Sequence, residues 1–264
     1  MANLPFPGQT LSAGSKDSAS ILAMQKRLNA VGCGPVEEDG VYGPETLEAV
    51  QLFQARSVDQ FGTPLKVDGR VGPMTWATLF GVEIEPRVAT SSSALLAQTL
   101  IKASGEVGVR EVPPGTNRGP RVDQYLRSVG VDPAQGSFAW CAAFVYFCFD
   151  QACMGLSMKN PVIRTAGVVD HWNLAGSRGV HRLSADECLA ELTLVQPGMI
   201  FIITTGGGHG HTGLVEEVRG MALTTLEGNT NEGGSREGIG VFRRTSRRIS
   251  DMNRGFIDYG PQAV

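Results

Sequence analysis

Apolar positions recur at helical spacing through Ile21, Leu22, Met24 and Leu28, which predicts an amphipathic helix ending near Gly32. A second helix is predicted over Pro44 to Arg56, with Leu47, Val50 and Phe53 on one face, and a shorter third through Trp76 and Leu79. The turns opening the second and third helices are copies: DGVYGPET at 39–46 recurs as DGRVGPMT at 68–75, displaced by 29 residues. In each copy Asp-Gly makes the bend, the second glycine tolerates positive φ, and proline takes a first helical turn that accepts it. Three short helices joined by two similar turns predict a small helical bundle over residues 1–81.

Residues 82–93, VEIEPRVATSSS, lack helical period and end in a serine run, so they read as a linker. The pattern then changes. Helices are predicted over 94–103, 122–129 and 139–152, with a Pro/Gly-rich loop at 113–120 after the first. Beyond Leu192 the apolar runs become short and β-like, at 199–204, 212–218, 221–227, 239–244 and 255–259. Helices followed by strands predict an α+β domain over 94–264 with a mostly antiparallel sheet.

Composition narrows the partners. The net charge is −3 and the pI about 5.8, so no nucleic-acid face is expected. The basic run RRTSRR at 243–248 reads as guarding a solvated strand edge. No apolar run reaches the roughly 20 residues of a membrane span. The N-terminal residues lack a basic stretch followed by an apolar core, so the chain is expected to stay in the cytoplasm until something releases it to the periplasm or cell wall. The five cysteines, at 33, 141, 148, 153 and 188, show neither zinc-ribbon spacing nor an even count, so reduced thiols are expected. No cofactor or metal is called for, and a monomer is expected.

Cys141 begins a helix that is apolar nearly all round, which predicts a buried helix with a sulfur at its positive end, where negative charge is favoured. Cys148 and Cys153 lie deeper in the same helix and read as inert core thiols. A thiolate nucleophile needs a base, and the base needs an orienting acceptor. His211 opens one β-like run and Glu227 ends the next. A plain two-residue loop closed by Val218 and Met221 would put them on opposite faces. An odd-length loop or a bulge is therefore predicted, placing His211 opposite Glu227 or Asn229. Gln135, six residues before Cys141, is a candidate oxyanion donor, with an exposed loop glutamine as the alternative. His209 reads as a glycine-loop residue, His171 with Trp172 as a packing pair, His181 as solvated, and Asn117-Arg118 as ordinary loop.

Two resemblances follow from these residues. MQKRL at 24–28, DGVYG at 39–43, AVQLFQ at 49–54 and DGRVGPMTW at 68–76 resemble the small helical peptidoglycan-binding domain of many wall enzymes. WCAAFV around Cys141, PGMIFI at 197–202, GHTGLVEEV at 210–218 and LEGNTN at 226–231 resemble the CHAP class of papain-like cell-wall amidohydrolases, over most of residues 100–260. The second resemblance implies a papain-like α+β fold with Cys141 as nucleophile, His211 as general base and acid, Glu227 orienting the imidazole, and Asn229 as an auxiliary polar residue. Some members of the class bind calcium through an acidic loop ahead of the cysteine; no such cluster precedes Cys141. The combined layout is similar to phage endolysins acting on Gram-negative hosts and implies peptidoglycan as partner. Three other readings stay open: a zinc peptidase using His209 and His211, a wall-binding protein without catalysis, and an antibacterial effector toxin.

Overall fold

The computed structural model describes residues 4–60, 62, 64–82, 93–230 and 238–260. The chain divides into two compact units, one holding the first three helices and the other the remaining long helices and the sheet. Of the expected linker at 82–93, residues 83–92 lie outside the described residues.

The N-terminal unit contains α1 (Ser18–Ala30), α2 (Pro44–Arg56) and α3 (Pro73–Phe80). Asp17 caps α1 by accepting from the backbone N–H of Ser20, and proline occupies the first position of both α2 and α3. The repeat in the sequence is a repeat in hydrogen bonding. Gln25 of α1 is buried, donates to Asp39 Oδ1, the Val41 carbonyl and Thr46 Oγ1, and accepts from the N–H of Gly40. Gln54 of α2, 29 residues on, does the same with Asp68 Oδ1, the Arg70 carbonyl, Thr75 Oγ1 and the N–H of Gly69. Each glutamine satisfies the polar backbone of one Asp-Gly turn from inside the bundle, where unpaired groups would be costly. Ile21, Met24, Leu28, Val50, Phe53, Trp76 and Leu79 form its apolar interior.

The second unit contains α4 (Ala94–Gly105), α5 (Pro120–Ser128), α6 (Cys141–Gly155) and α7 (Val168–Ser177). The strands are β1 (His181–Leu183), β2 (Ile200–Gly206), β3 (His209–Arg219), β4 (Ala222–Thr230), β5 (Gly240–Arg248) and β6 (Gly255–Asp258), with a short helix α8 (Ala185–Ala190) after β1. They form one antiparallel sheet in the order β1-β6-β2-β3-β4-β5. The fold is α+β, as the change of period along the chain predicts. One strand escapes that division: β1 is three residues long and precedes Leu192, too short to show a period. The α6 side chains Phe144, Val145, Cys148 and Phe149 pack with Ile200, Ile202, Leu214, Leu226 and Ile257 of the sheet in one core. That packing explains why α6 is apolar on nearly every face. No helix among the described residues is long and apolar enough to cross a membrane.

Candidate active site

Cys141 is the first residue of α6 and is almost wholly buried. Trp140, just before it, supplies no side-chain cap, so the first N–H groups of the helix are left without such a partner. Trp140 is itself held firmly. Its ring stacks on Tyr125 with centroids 5.5 Å apart, and its indole N–H donates to Glu111 Oε1 at 2.9 Å. Gly228 explains how closely α6 meets β4: a Cβ there would stand 2.7 Å from Phe144 and 2.8 Å from Trp140.

The β3–β4 hairpin delivers the other two groups. Its loop is Gly220-Met221, closed by the pair Arg219 and Ala222, one residue further along than the loop considered from the sequence. A bulge follows between Val215 and Glu217 of β3, and beyond it Val215 faces Thr225 and Leu214 faces Leu226. With that extra residue, His211 and Glu227 fall on one face, and His211 Nε2 donates to Glu227 Oε2 at 2.8 Å. The bulged Glu216 turns outward to a forked ion pair with Arg243.

Nε2 being engaged, the nitrogen open to a thiol is Nδ1, which is buried and forms no hydrogen bond of ordinary geometry. Burial alone would push the imidazole down. The adjacent Cys141 thiol and the Glu227 carboxylate outweigh it and raise the ring to about 9. Cys141 thus acts on the ring without a hydrogen bond of ordinary geometry to Nδ1, and catalytic hydrogen bonds commonly tighten only with substrate in place. Burial pushes the Cys148 and Cys153 thiols up and Cys188 up to about 12, so none of these is poised as a nucleophile.

Glu227 is fully buried, and its two oxygens accept more than His211. Thr225 Oγ1 donates to Oε1 at 2.6 Å, and Arg247 donates to Oε1 at 2.9 Å and Oε2 at 2.8 Å. Burial opposes its charge, but Arg247 and His211 hold the carboxyl well below the ordinary range. Here the reading of RRTSRR as a solvated edge is corrected. β5 is an edge strand, yet Arg244 and Arg247 turn inward, with side chains only 10% and 15% exposed.

Asn229 is buried and takes a left-handed backbone with φ 55°. Its amide donates to Asn117 Oδ1 at 2.7 Å and toward Glu111 Oε1 at 3.4 Å, and Asn117 donates to Ser137 at 3.0 Å. Asn117, read from sequence as ordinary loop, therefore joins β4 to the segment leading into Cys141. Glu111 reaches this place because its N–H donates to the Ile239 carbonyl beside β5, a long-range pairing without sequence signal.

The remaining candidates stand apart. Gln135 ends a 3-10 turn, is exposed, and donates to Asp132 at 3.4 Å, so the structure does not bring it into the Cys141 group. His171 is buried against the Tyr259 hydroxyl at 2.9 Å, and burial pushes it down to about 4. His181 and His209 are exposed. Among the described residues no group of three or more His, Cys, Asp or Glu side chains is arranged to hold a metal ion.

Comparison with known proteins assigns both units. Residues 17–79 match the family described as a putative peptidoglycan binding domain, and residues 133–229 match the CHAP domain, ending short of β5. An uncharacterized protein in the bpoA1 3' region of Kitasatospora aureofaciens is 43% identical over 65 residues, which are 25% of this chain and 49% of that protein. The chain thus spans about half the length of this curated relative. No solved structure matches. The chain therefore joins an N-terminal peptidoglycan-binding domain to a C-terminal CHAP domain.

Proposed function

We propose that this chain hydrolyses an amide bond of bacterial cell-wall peptide by cysteine–histidine catalysis, with residues 1–81 holding the wall and residues 94–264 cutting it. The observation that carries the reading is one buried imidazole set between a helix-leading thiol and a fully buried carboxylate. The Cys141 proton moves to His211, and the sulfur attacks the amide carbonyl carbon. The oxyanion is held by the uncapped N–H groups at the start of α6. His211 returns the proton to the leaving amine as the C–N bond breaks, leaving a thioester. Water then gives its proton to His211, attacks the thioester carbon, and releases the acid and the Cys141 thiol. Glu227 orients the ring throughout, and Asn229 steadies the wall of the site through Asn117 and Glu111. Gln135 is left out of this step, being exposed with its amide directed to Asp132.

The bond is either the N-acetylmuramoyl-L-alanine amide or a stem-peptide or cross-bridge amide, and the biological role is that of an endolysin released to the wall. Mass spectrometry of digested peptidoglycan, comparing wild type with Cys141→Ala, tests both. The variant is expected to bind wall and release nothing, and the new termini in the wild-type digest identify the bond. Undiminished digestion by Cys141→Ala overturns the nucleophile. Activity lost to a chelator but not to iodoacetamide would favour a zinc reading through His209 and His211.

A further inference from the structure

The sequence pattern gives β5 one visible feature, its run of arginines, and two of them point at the site. Arg244 and Arg247 are three residues apart, which in a regular strand puts side chains on opposite faces. A bulge in β5 removes that constraint: Leu223 pairs with Arg247 and Thr225 with Arg244, so two residues of β4 are matched by three of β5. Both guanidinium groups consequently share the face that carries Thr225 and Glu227. Arg247 takes both Glu227 oxygens in a fork, and Arg244 Nε stands 3.7 Å from Oε1. Arg247 also lies 5.9 Å from the centre of the Phe201 ring, which is 6.0 Å from the His211 ring.

We propose that Arg247, backed by Arg244, is a positioning residue of the Cys141–His211–Glu227 group: its fork fixes both Glu227 oxygens so that Oε2 faces the ring, and its charge balances the carboxylate inside the fold. Without that balance the buried carboxylate would bind the imidazolium proton alone, and His211 would surrender it to a leaving amine less readily. The groups facing this cluster are Cys141 from α6, Glu227 and Thr225 from β4, Arg244 and Arg247 from β5, and Asp251 just after β5, which acts on both arginines. The catalytic half of the proposal rests on the function proposed above; the electrostatic half does not.

The test uses the full chain and two readouts. The His211 imidazole is titrated by NMR, identified among the four histidines by its loss in His211→Ala, and kcat and KM are measured on wall fragments. Arg247→Gln is expected to raise the His211 midpoint by about one pH unit and to lower kcat about tenfold or more, with KM little changed. Arg247→Lys keeps the charge without the fork, so it restores the midpoint to near wild type while kcat stays low. Arg244→Gln shifts the midpoint in the same direction by less. If Arg247→Gln does not fold, the Lys variant and Arg244→Gln carry the test. An unchanged or lowered midpoint in the glutamine variants, or a midpoint in Arg247→Lys as far from wild type as in Arg247→Gln, overturns the proposal. Full digestion by Cys141→Ala would instead remove the thiol mechanism and leave the NMR result to judge the arginine alone.

Discussion

In the mechanism proposed above the proton passes through His211, and the proton affinity of that ring has a testable sign. The folded ring is raised from its ordinary value of 6.5 to about 9, so the fold favours the imidazolium. The stability it contributes is complete below about pH 6.5 and is lost as pH rises through about 9. Melting temperature should decline over that window, and the decline should vanish in His211→Ala. The same deprotonation removes the proton needed by the leaving amine, so kcat/KM is expected to fall above about pH 9. Glu227→Gln removes the anionic partner. It should move that alkaline limb to lower pH, the opposite of the shift expected for Arg247→Gln. It also leaves a largely buried guanidinium facing a neutral amide, which should cost about 3–5 kcal/mol of stability, measurable by urea unfolding. An alkaline limb that stays in place in Glu227→Gln would remove the carboxylate from its orienting role.

At the scale of elements, two contacts hold the machinery in register. α6 approaches β4 over Gly228, and a methyl group there would overlap Phe144 and Trp140. Gly228→Ala is expected to lose about 1–3 kcal/mol through overpacking. It should also depress turnover more than Ala substitution at an exposed strand position, because the displaced residue, Trp140, adjoins Cys141. In the N-terminal bundle the paired glutamines play the corresponding part. Gln54→Leu would leave the Gly69 N–H and the Arg70 carbonyl short of a partner, each costing about 1–3 kcal/mol. Gln25→Leu should cost a similar amount, since each of the hydrogen bonds of Gln25 to its turn has a counterpart at Gln54. A denaturation midpoint unchanged in both variants would show that the turns are held by other groups.

Binding and cutting are expected to separate in the whole molecule. Gln54→Leu should weaken retention on isolated wall while the rate of Cys141 alkylation by iodoacetamide stays at the wild-type value, whereas Cys141→Ala should do the reverse. Parallel loss of both properties in Gln54→Leu would contradict the division. Much of this organisation is legible along the chain. The 29-residue repeat, the period of 3.6 through α1 and α2, the nearly continuous apolar run of α6, and the β-like runs of β2 to β6 are local, and local spacing determines which faces of an element are apolar. The start of α6 at Cys141 is legible for the same reason, and the need for a bulge if His211 and Glu227 are to share a face follows from the period of two. The repeat also contained a signal that its turns alone did not use: the 29-residue offset relates Gln25 to Gln54 and Thr46 to Thr75. What only the tertiary structure decided is partnership across distance. Glu111 meets Trp140 and Asn229 because its backbone runs beside β5, and Arg244 and Arg247 face Glu227 because β5 bulges. A strand's sequence gives its period; it does not say where the partner strand forces an extra residue, and that slip turns two arginines of a basic edge strand inward onto Glu227.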